Sequence, residues 1–397
     1  MSGYQLQVHR SMGEIGRTAW ERLRSNDQPF LAYDFLHGLE LSGSLRQQLG
    51  WVPFPLTLHL DGRVVGAAPA YLKTNSHGEF VFDWGWADAH HRHGLNYYPK
   101  LLLAVPYTPV CGTRLLVEPG IGAHAHRRAL VQGLLQLAAQ HELSSVHANF
   151  LDPTDAAAFA HDPWLPRGDL QFHWRNDGYR DFPDFLDALS SKKRKNLRQE
   201  RQKVASTGIE LRCLHGDQID DDLWPQLHAL YENAFEEKGN TPALTEAFFR
   251  GLGQNLGAGV VVMTAWRARQ LLAMAFCLRD RDTLYGRYWG CRESIPGLHF
   301  ETCYYQGIEY CLREGLSRFE PGAQGEHKLA RGFLPVRTRS MHHIAHPDFR
   351  RAIRHALRQE HQHRRDYEDE LWRHTPMRTS PQATDPVSST EACGSPD

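Results

Sequence analysis

The segment best suited to chemistry runs from Glu320 to Lys328 and reads Glu-Pro-Gly-Ala-Gln-Gly-Glu-His-Lys. It brings a carboxylate, an imidazole and an amine into one loop, and its glycines let the backbone turn sharply. A carboxylate or an imidazole in such a loop can accept a proton from an attacking amine. We therefore expect Glu320 or His327 to be a general base, with Gln324 and Lys328 binding substrate.

A structural role for the same loop is the alternative. Glu320 would then form a buried ion pair with Arg287 or Arg331. The catalytic interpretation is preferred because acid, imidazole and amine converge beside an aromatic strand. In that interpretation Arg287, Tyr288 and Trp289 line the pocket.

The elements around this loop predict a βαβ unit. Thr283–Trp289 is short and aromatic, which is typical of a strand. From Leu298 to Glu314, small and apolar residues recur at intervals of three and four, which indicates a helix that lies close to a sheet. Ser317–Glu320 is then a second strand, ended by Pro321-Gly322. Open α/β sheets bind ligands at the carboxyl ends of such strands, where Glu320 would lie.

A second charged segment, Ser190–Val204, has the pattern of a basic helix. Its cations outnumber its single acid, Glu200, and five of them are candidate ligands for phosphate: Lys192, Lys193, Arg194, Lys195 and Arg198. One interpretation is a solvated surface helix. The other is a local anion site for phosphate, nucleotide or RNA, and the sequence leaves both open.

Length and composition limit the class of protein. A chain of 397 residues suits two domains, and 41% hydrophobic with 11% aromatic residues is globular. The net charge of -1 gives no argument for nucleic acid or an anionic membrane. No apolar run approaches the ~20 residues of a membrane span, and the first residues lack the pattern of a secretory signal. Seven irregularly spaced cysteines fit reduced thiols, so we expect a cytoplasmic protein.

The order of predicted elements is similar in the two halves of the chain. Each half combines strands and helices with a hairpin, the first around Asp61-Gly62, and a strand is also predicted over Glu79–Trp86. Two copies of one α/β unit with mixed sheets are the predicted architecture. The predicted boundaries are 1–165 and 166–346 for the two domains, 347–372 for a C-terminal helix and 373–397 for a disordered tail.

Several common kinds of site are not predicted. The 24 histidines are not joined by cysteines or carboxylates at metal-ligand spacing, so no metal site is expected. The chain has neither a G-x-S-x-G elbow nor a P-loop motif, which removes the usual hydrolase and P-loop NTPase functions. Gly120-Ile-Gly122 lies between a strand and a helix, where backbone N–H groups can hold phosphate. An ordinary turn is the favoured interpretation of this segment.

Resemblance to a known family is carried by these stretches: 82–88, 97–101 with 106–109, 191–196, 286–290, 299–301 with 303–306, and 319–328. They resemble the FemAB-like predicted N-acyltransferases from about Trp20 to His343. The resemblance implies tandem GNAT-like acyl-CoA N-acyltransferase domains and adds His299 and Glu301 to the expected substrate-binding residues. Two features of relatives are missing, the glutamine- or arginine-led pyrophosphate loop and the long inserted helical hairpin. The donor and any peptidoglycan substrate are therefore carried over by analogy.

The resulting expectation is an N-acyltransferase that moves an acyl or aminoacyl group to an amine, with a cell-wall precursor as one candidate acceptor. Acyl-CoA or aminoacyl-tRNA would be a co-substrate, no cofactor would be tightly bound, and tRNA is a possible partner. The alternative is a non-catalytic binding protein of the same fold that recognises RNA or a nucleotide-linked ligand. The sequence does not determine the oligomeric state.

Overall fold

The computed structural model describes residues 3–323 and 325–378, and its strands form one sheet of four strands and one of eleven. The strands are β1 (Tyr4–Val8), β2 (Trp51–Pro53), β3 (Leu56–Leu60), β4 (Arg63–Ala68), β5 (Ala70–Lys73), β6 (Lys100–Leu103), β7 (Leu116–Val117), β8 (Ser145–Ala148), β9 (Leu165–Arg175), β10 (Glu210–His215), β11 (Val260–Arg267), β12 (Gln270–Arg279), β13 (Thr283–Cys291), β14 (Arg318–Glu320) and β15 (Leu334–Ile344).

The helices lie around these sheets. They are α1 (Met12–Ile15), α2 (Arg17–Leu23), α3 (Tyr33–Leu41), α4 (Trp84–Arg92), α5 (Ala123–Gln140), α6 (Pro153–Ala158), α7 (Phe182–Ala188), α8 (Ser191–Ala205), α9 (Trp224–Glu236), α10 (Glu246–Leu256), α11 (Leu298–Phe300), α12 (Gln306–Glu314) and α13 (Pro347–Arg373). A π-helical turn, Glu301–Tyr305, joins α11 to α12, and a 3-10 turn, Glu326–Arg331, precedes β15.

The large sheet joins the two halves of the chain. Its order is β10-β11-β12-β13-β14-β9-β15-β8-β6-β5-β2. β9 and β15 are the long antiparallel pair between the two halves, because β9 also pairs with β14 and β15 with β8. Pro166 and Gly168, which lie beside the predicted domain boundary, fall inside β9. The α/β class with a mixed sheet is confirmed, while the domain boundaries stay predictions.

The predicted βαβ unit is present. β13 and β14 are parallel, with Tyr285 opposite Glu320, and the helical segment α11–α12 connects them. A Cβ on Gly307 would lie 2.3 Å from the Phe319 ring, so the small residues of this helix do allow the close packing that was predicted. The β3–β4 and β11–β12 hairpins and the basic helix α8 are also confirmed.

The predicted strand over Glu79–Trp86 is wrong. Trp84 begins helix α4, and the preceding Asp83 is buried beside Lys100. Aromatic residues at alternate positions predicted a strand with these side chains on one face, but Phe82 and Trp84 are exposed. The buried contact between the Asp83 carboxylate and Lys100 holds this segment in place. The alternation of apolar residues does not predict such a contact.

Part of the predicted tail packs on the protein. Met377 forms a bridge with Leu189, and the backbone N–H of Ser190 donates to the Pro376 carbonyl at 2.9 Å. The prediction of disorder is therefore wrong for residues 373–378, since Arg373 also lies in α13, and residues 379–397 lie outside the described part. No helix in the described part of the chain has the length and apolarity that a bilayer crossing requires.

An apolar core lies between the two halves. Phe35 of α3 packs edge-on against Phe248 of α10 with ring centroids 5.4 Å apart, and Phe30 packs in the same way on Tyr285 at 5.1 Å. These residues belong to one buried cluster with members from both halves. Burial of aromatic surface therefore fixes the first half against β13, next to the carboxyl end of β14.

Candidate active site

The candidate site lies where two parallel strands separate. β14 ends at Glu320, whereas β13 continues to Cys291 and pairs there only with β12 among the described strands. A Cβ on Gly286 would lie 3.2 Å from the Cα of Pro321, so this glycine lets the loop after β14 pass close to β13. The place where β14 ends beside the continuing β13 is called the notch below, and it lies at the carboxyl edge of the sheet, where α/β sheets bind ligands.

Glu320 is the titratable group at this notch. Its side chain is only 11% exposed, and its Oε2 atom has no hydrogen-bond partner among the described residues. Burial raises the pKa of Glu320 to about 7, and the Asp280 charge adds to the rise while Arg318 and Arg287 oppose it. A carboxyl group with this pKa can both accept and return a proton near neutral pH.

Two buried hydrogen bonds orient His173 beside Glu320. The Gln171 side-chain amide donates to the Pro109 carbonyl at 2.8 Å, which orients its Oε1 toward His173 Nε2 at 3.1 Å. Because the carbonyl and Oε1 can only accept, Nε2 of His173 carries the proton. Burial lowers the pKa of His173 to about 3, so its ring is neutral and Nδ1 presents a lone pair. That atom lies 3.7 Å from Glu320 Oε1.

The ion pair proposed as the structural alternative is not formed among the described residues. Arg287 Nη2 instead donates to the Tyr107 carbonyl at 2.6 Å. Arg331 donates to both Glu200 oxygens at 2.8 and 3.0 Å, and its guanidinium lies 3.4 Å from the Phe300 ring centroid. Glu320 therefore has charged neighbours but no guanidinium bound to it.

Arg287 and Tyr288 lie at the contact between the halves. Arg287 is the extra residue of a β-bulge in β13, because Gly286 and Tyr288 oppose successive residues of β12. Its partner Tyr107 has a φ of 56°, a left-handed conformation that is strained for a tyrosine. The Tyr288 ring packs on Tyr231 with centroids 5.0 Å apart, so it belongs to the core. Arg287 therefore borders the site, and Tyr288 packs in the core next to it.

The residues beyond the notch form an aromatic cluster. Tyr304 OH lies 2.8 Å from His327 Nε2, and the Trp289 and His299 rings pack edge-on at 5.2 Å. Burial lowers the pKa of His299 to about 4 and lowers the pKa of His327, helped in both rings by nearby cations. Both imidazoles are therefore neutral at pH 7 and offer apolar faces to a ligand. The structure brings Trp289, His299 and His327 together, and their roles stay predictions.

Lys328 holds the loop after β14. It is buried, and its Nζ atom donates to the Gly322 carbonyl at 2.7 Å. Burial lowers its pKa to about 8. The amine closes the glycine-rich turn and places a positive charge close enough to lower the pKa of His173. Gln324, the other predicted loop residue, lies outside the described residues.

Glu301 is bound by neighbouring side chains. Arg201 donates to its two oxygens at 3.0 and 3.1 Å, and Gln306 donates to Oε1 at 2.8 Å. The carboxylate is buried, so it anchors α8 to the π-helical turn. The structure thus gives Glu301 an anchoring position, and its contact with substrate stays a prediction.

Helix α8 presents two different faces. Its inner face carries Leu197, Val204 and Glu200, and Glu200 is bound to Arg331 of the turn that carries His327. Lys192, Lys195 and Arg198 are exposed, Lys193 and Arg194 are half-buried, and Arg194 pairs with Asp187 at 2.6 Å. Its first turn is basic, although a helix N-terminus favours negative charge. An added anion would offset that unfavourable charge.

The sequence interpretation missed a buried cluster in the first half. Lys100 is fully buried and donates to Asp83, to Glu79 at 2.9 Å and to Ser76 at 3.0 Å. Tyr97 donates to Asp83 at 2.6 Å and lies 3.2 Å from His147. The sequence signal that could have revealed this cluster is the polar residues in the stretches 82–88 and 97–101, which resemble the known family. These charges fix α4 to β6 in the way that a buried ion pair does.

Comparison with known proteins gives one family and several similar solved structures. The FemAB_like model, described as peptidoglycan biosynthesis/recognition, matches residues 11–379. A search of curated proteins gives no match. Among solved structures, a tandem GNAT protein from the clavulanic acid biosynthesis pathway is 16% identical, with TM-score 0.43, covering 86% of this chain and 99% of that one. FemX is 10% identical, with TM-score 0.49, covering 88% and 100%. L-PGS from Bacillus licheniformis is 10% identical, with TM-score 0.49, covering 81% and 95%.

Proposed function

Because the chain belongs to the FemAB-like family, we propose that it is an N-acyltransferase that moves an acyl or aminoacyl group to an amine on a cell-wall-related acceptor. The observation that carries the reaction type is Glu320. This carboxyl lies at the carboxyl end of a short strand with one unpartnered oxygen and a pKa of about 7. A group of this kind suits removal of a proton from an attacking amine.

The reaction is a direct transfer. The amine nitrogen attacks the carbonyl carbon of the donor's thioester or ester, and Glu320 takes the proton that the nitrogen loses. The tetrahedral intermediate then breaks the bond to the leaving sulfur or oxygen, and the same proton passes from Glu320 to that atom. An amide and a free thiol or hydroxyl result, and Glu320 is again a carboxylate. No further reactant is needed, because the donor is already activated.

Neighbouring residues have supporting roles in this proposal. The proton on His173 Nε2 is held by Gln171, so Nδ1 presents no proton to Glu320 and leaves its pKa high. Trp289, His299 and His327 provide apolar surface beside the notch, where they exclude water from the reacting carbonyl. The exposed cations Lys192, Lys195 and Arg198 of α8 attract the phosphates of a CoA- or tRNA-linked donor.

The test is consumption of a defined donor. Acyl-CoA and aminoacyl-tRNA would each be mixed with the protein and an amine acceptor, with release of thiol or deacylation of tRNA as the readout. Turnover of either donor by the wild type and a large loss in Glu320→Gln supports the proposal. Saturable binding of a donor without any turnover would instead favour a binding protein of the same fold.

A further inference from the structure

A large groove lies away from the notch, between α13 and the β9–β15 pair. Its volume is about 890 Å³, which is in the range of small-molecule sites. The charged side chains that line it come from β9, β15, α13 and the turn before β9: Arg167, Arg337, Arg339, Arg354, Arg358, Arg364, Asp162 and Glu360. With six arginines and two carboxylates, the lining has a formal charge of +4, in a chain whose net charge is only -1.

Three of the arginines are compensated by carboxylates. Arg167 binds both oxygens of Glu360 at 2.8 and 3.0 Å. Arg354 donates to Asp162 at 2.5 Å. Arg337 donates to Glu368 of α13, at 2.8 Å for the closer oxygen. These pairs fix the helix against the strands and leave the remaining arginines as the source of the excess charge.

Within the described part of the chain, the other three arginines lack a carboxylate partner. Arg339 of β15 and Arg358 of α13 are exposed, and no guanidinium hydrogen bond or ion pair is formed by either within residues 3–323 and 325–378. Arg364 donates to the Gly168 carbonyl at 2.8 Å and to His361 Nδ1 at 2.6 Å, neither of which is negative. Its Nε atom is buried and has no partner among the described residues.

Gly168 of β9 leaves room for the Arg364 guanidinium because it has no side chain. A Cβ at Gly168 would lie 2.8 Å from Arg364 Nη1 and 3.0 Å from the Thr338 carbonyl. Burial and the charge of Arg337 lower the pKa of Arg364, so the site is unfavourable for a cation that lacks an anion. A buried donor without a partner beside two uncompensated arginines is the arrangement that a bound anion would satisfy.

We propose that this groove binds a small ligand bearing a phosphate or diphosphate group, held by Arg339, Arg358 and Arg364. The planar guanidinium forks match phosphate oxygens in pairs, and the concave shape favours a compact ligand over an extended polymer. This site goes beyond the proposed acyl transfer, since none of its residues belongs to the notch around Glu320. The ligand is either a free diphosphate or the diphosphate of a nucleotide.

The experiment titrates the full chain with inorganic pyrophosphate and with ADP by calorimetry. Arg339→Gln with Arg358→Gln should lower the affinity for pyrophosphate by about 10–100-fold, because hydrogen bonds to charged groups are lost. The matched control is Arg351→Gln with Arg365→Gln, which removes two exposed charges of α13 outside the groove and should leave the affinity within about twofold.

The outcomes separate the possibilities. Loss of binding in the groove variant alone supports the site, and tighter binding of ADP than of pyrophosphate identifies a nucleotide-linked ligand. The proposal is overturned if the wild type binds neither probe or if the groove variant and its control lose affinity equally. It is also overturned if binding is lost in Lys192→Gln with Lys195→Gln but kept in the groove variant, since the anion would then lie on α8.

Discussion

His173 Nδ1 lies 3.7 Å from Glu320 Oε1, and the proton on the opposite ring nitrogen is fixed by Gln171. The two residues come from different elements, β9 and β14, which pair in the large sheet. The imidazole offers Glu320 no proton, so it gives the carboxylate no stabilisation. Burial raises the pKa of Glu320 to about 7, and the neutral imidazole does not oppose that rise. The first three predictions test this arrangement.

Replacement of the base is the most direct change. Glu320→Gln should reduce turnover by about 10²–10⁴-fold, because the amide cannot accept the proton. The melting temperature should fall little, since no cation is bound to the carboxylate among the described residues. Glu326→Gln, in the same loop but exposed, is the control. Full turnover in Glu320→Gln would remove its catalytic assignment.

The same carboxyl sets an expected pH dependence. Turnover requires the deprotonated form, so its rate should rise with pH around a midpoint of about 7. Because the pKa is raised from 4.5 in the folded protein, the folded state holds more protons between pH 4.5 and about 7, and stability falls as the pH rises through that window. In denaturant titrations, Glu320→Gln should gain stability relative to wild type over this range. A constant difference would contradict the raised pKa.

Gln171 is expected to act as a positioning residue. In Gln171→Ala the Nε2 proton loses its acceptor, so His173 can carry the proton on Nδ1 and donate it to Glu320. That change favours the carboxylate and should shift the midpoint of the rate profile to lower pH. Gln202→Ala, on the exposed surface of α8, should leave the midpoint unchanged. A lower rate without a shift in midpoint would indicate a merely structural role for Gln171.

The basic face of α8 predicts salt-sensitive binding of a phosphate-bearing donor. Lys192→Ala, Lys195→Ala and Arg198→Ala together should weaken binding and reduce the dependence of affinity on salt. The fold should survive, because exposed charges contribute little stability. Removal of three exposed arginines elsewhere is the matched control: Arg128, Arg269 and Arg365. Equal affinity and equal salt slopes in both triple variants would make α8 an ordinary solvated helix.

Replacement of Lys100 is expected to have a large effect on stability. Lys100→Met should lower the free energy of unfolding by about 3–5 kcal/mol, since Asp83 and Glu79 would remain buried without their cation. Chemical denaturation measures the change, with Lys192→Met as the exposed control, for which less than about 1 kcal/mol is expected. A small effect at Lys100 would mean that the carboxylates find other partners or take up protons.

Two truncations test whether the residues after α13 contribute to stability. Removal of residues 379–397 should leave the melting temperature unchanged, because that stretch has few apolar residues. Removal from Thr375 onward should lower it, since Met377 and the backbone bonds to Ala188 and Ser190 are then lost. Equal melting temperatures for both truncated proteins would show that the docked residues contribute no stability.

The sequence by itself determined the local elements and the chemistry of the loop. Periodicity predicted α8 and the helical segment before β14, and Asp61-Gly62 predicted a hairpin, because these signals depend on neighbours along the chain. The same local reasoning placed Glu320 at a strand end. The family resemblance, confirmed over residues 11–379, came from motifs of this kind.

Only the tertiary structure decided which groups surround Glu320 and which merely support it. His173 and Gln171 precede Glu320 by 147 and 149 residues in the sequence. They reach its surroundings because β9 pairs with β14 in the sheet. Arg201 takes up Glu301, and Asp83 turns inward to Lys100, through contacts between distant segments. Burial and long-range pairing set the pKa values and the charge balance, and neither quantity is encoded in the local pattern of residues.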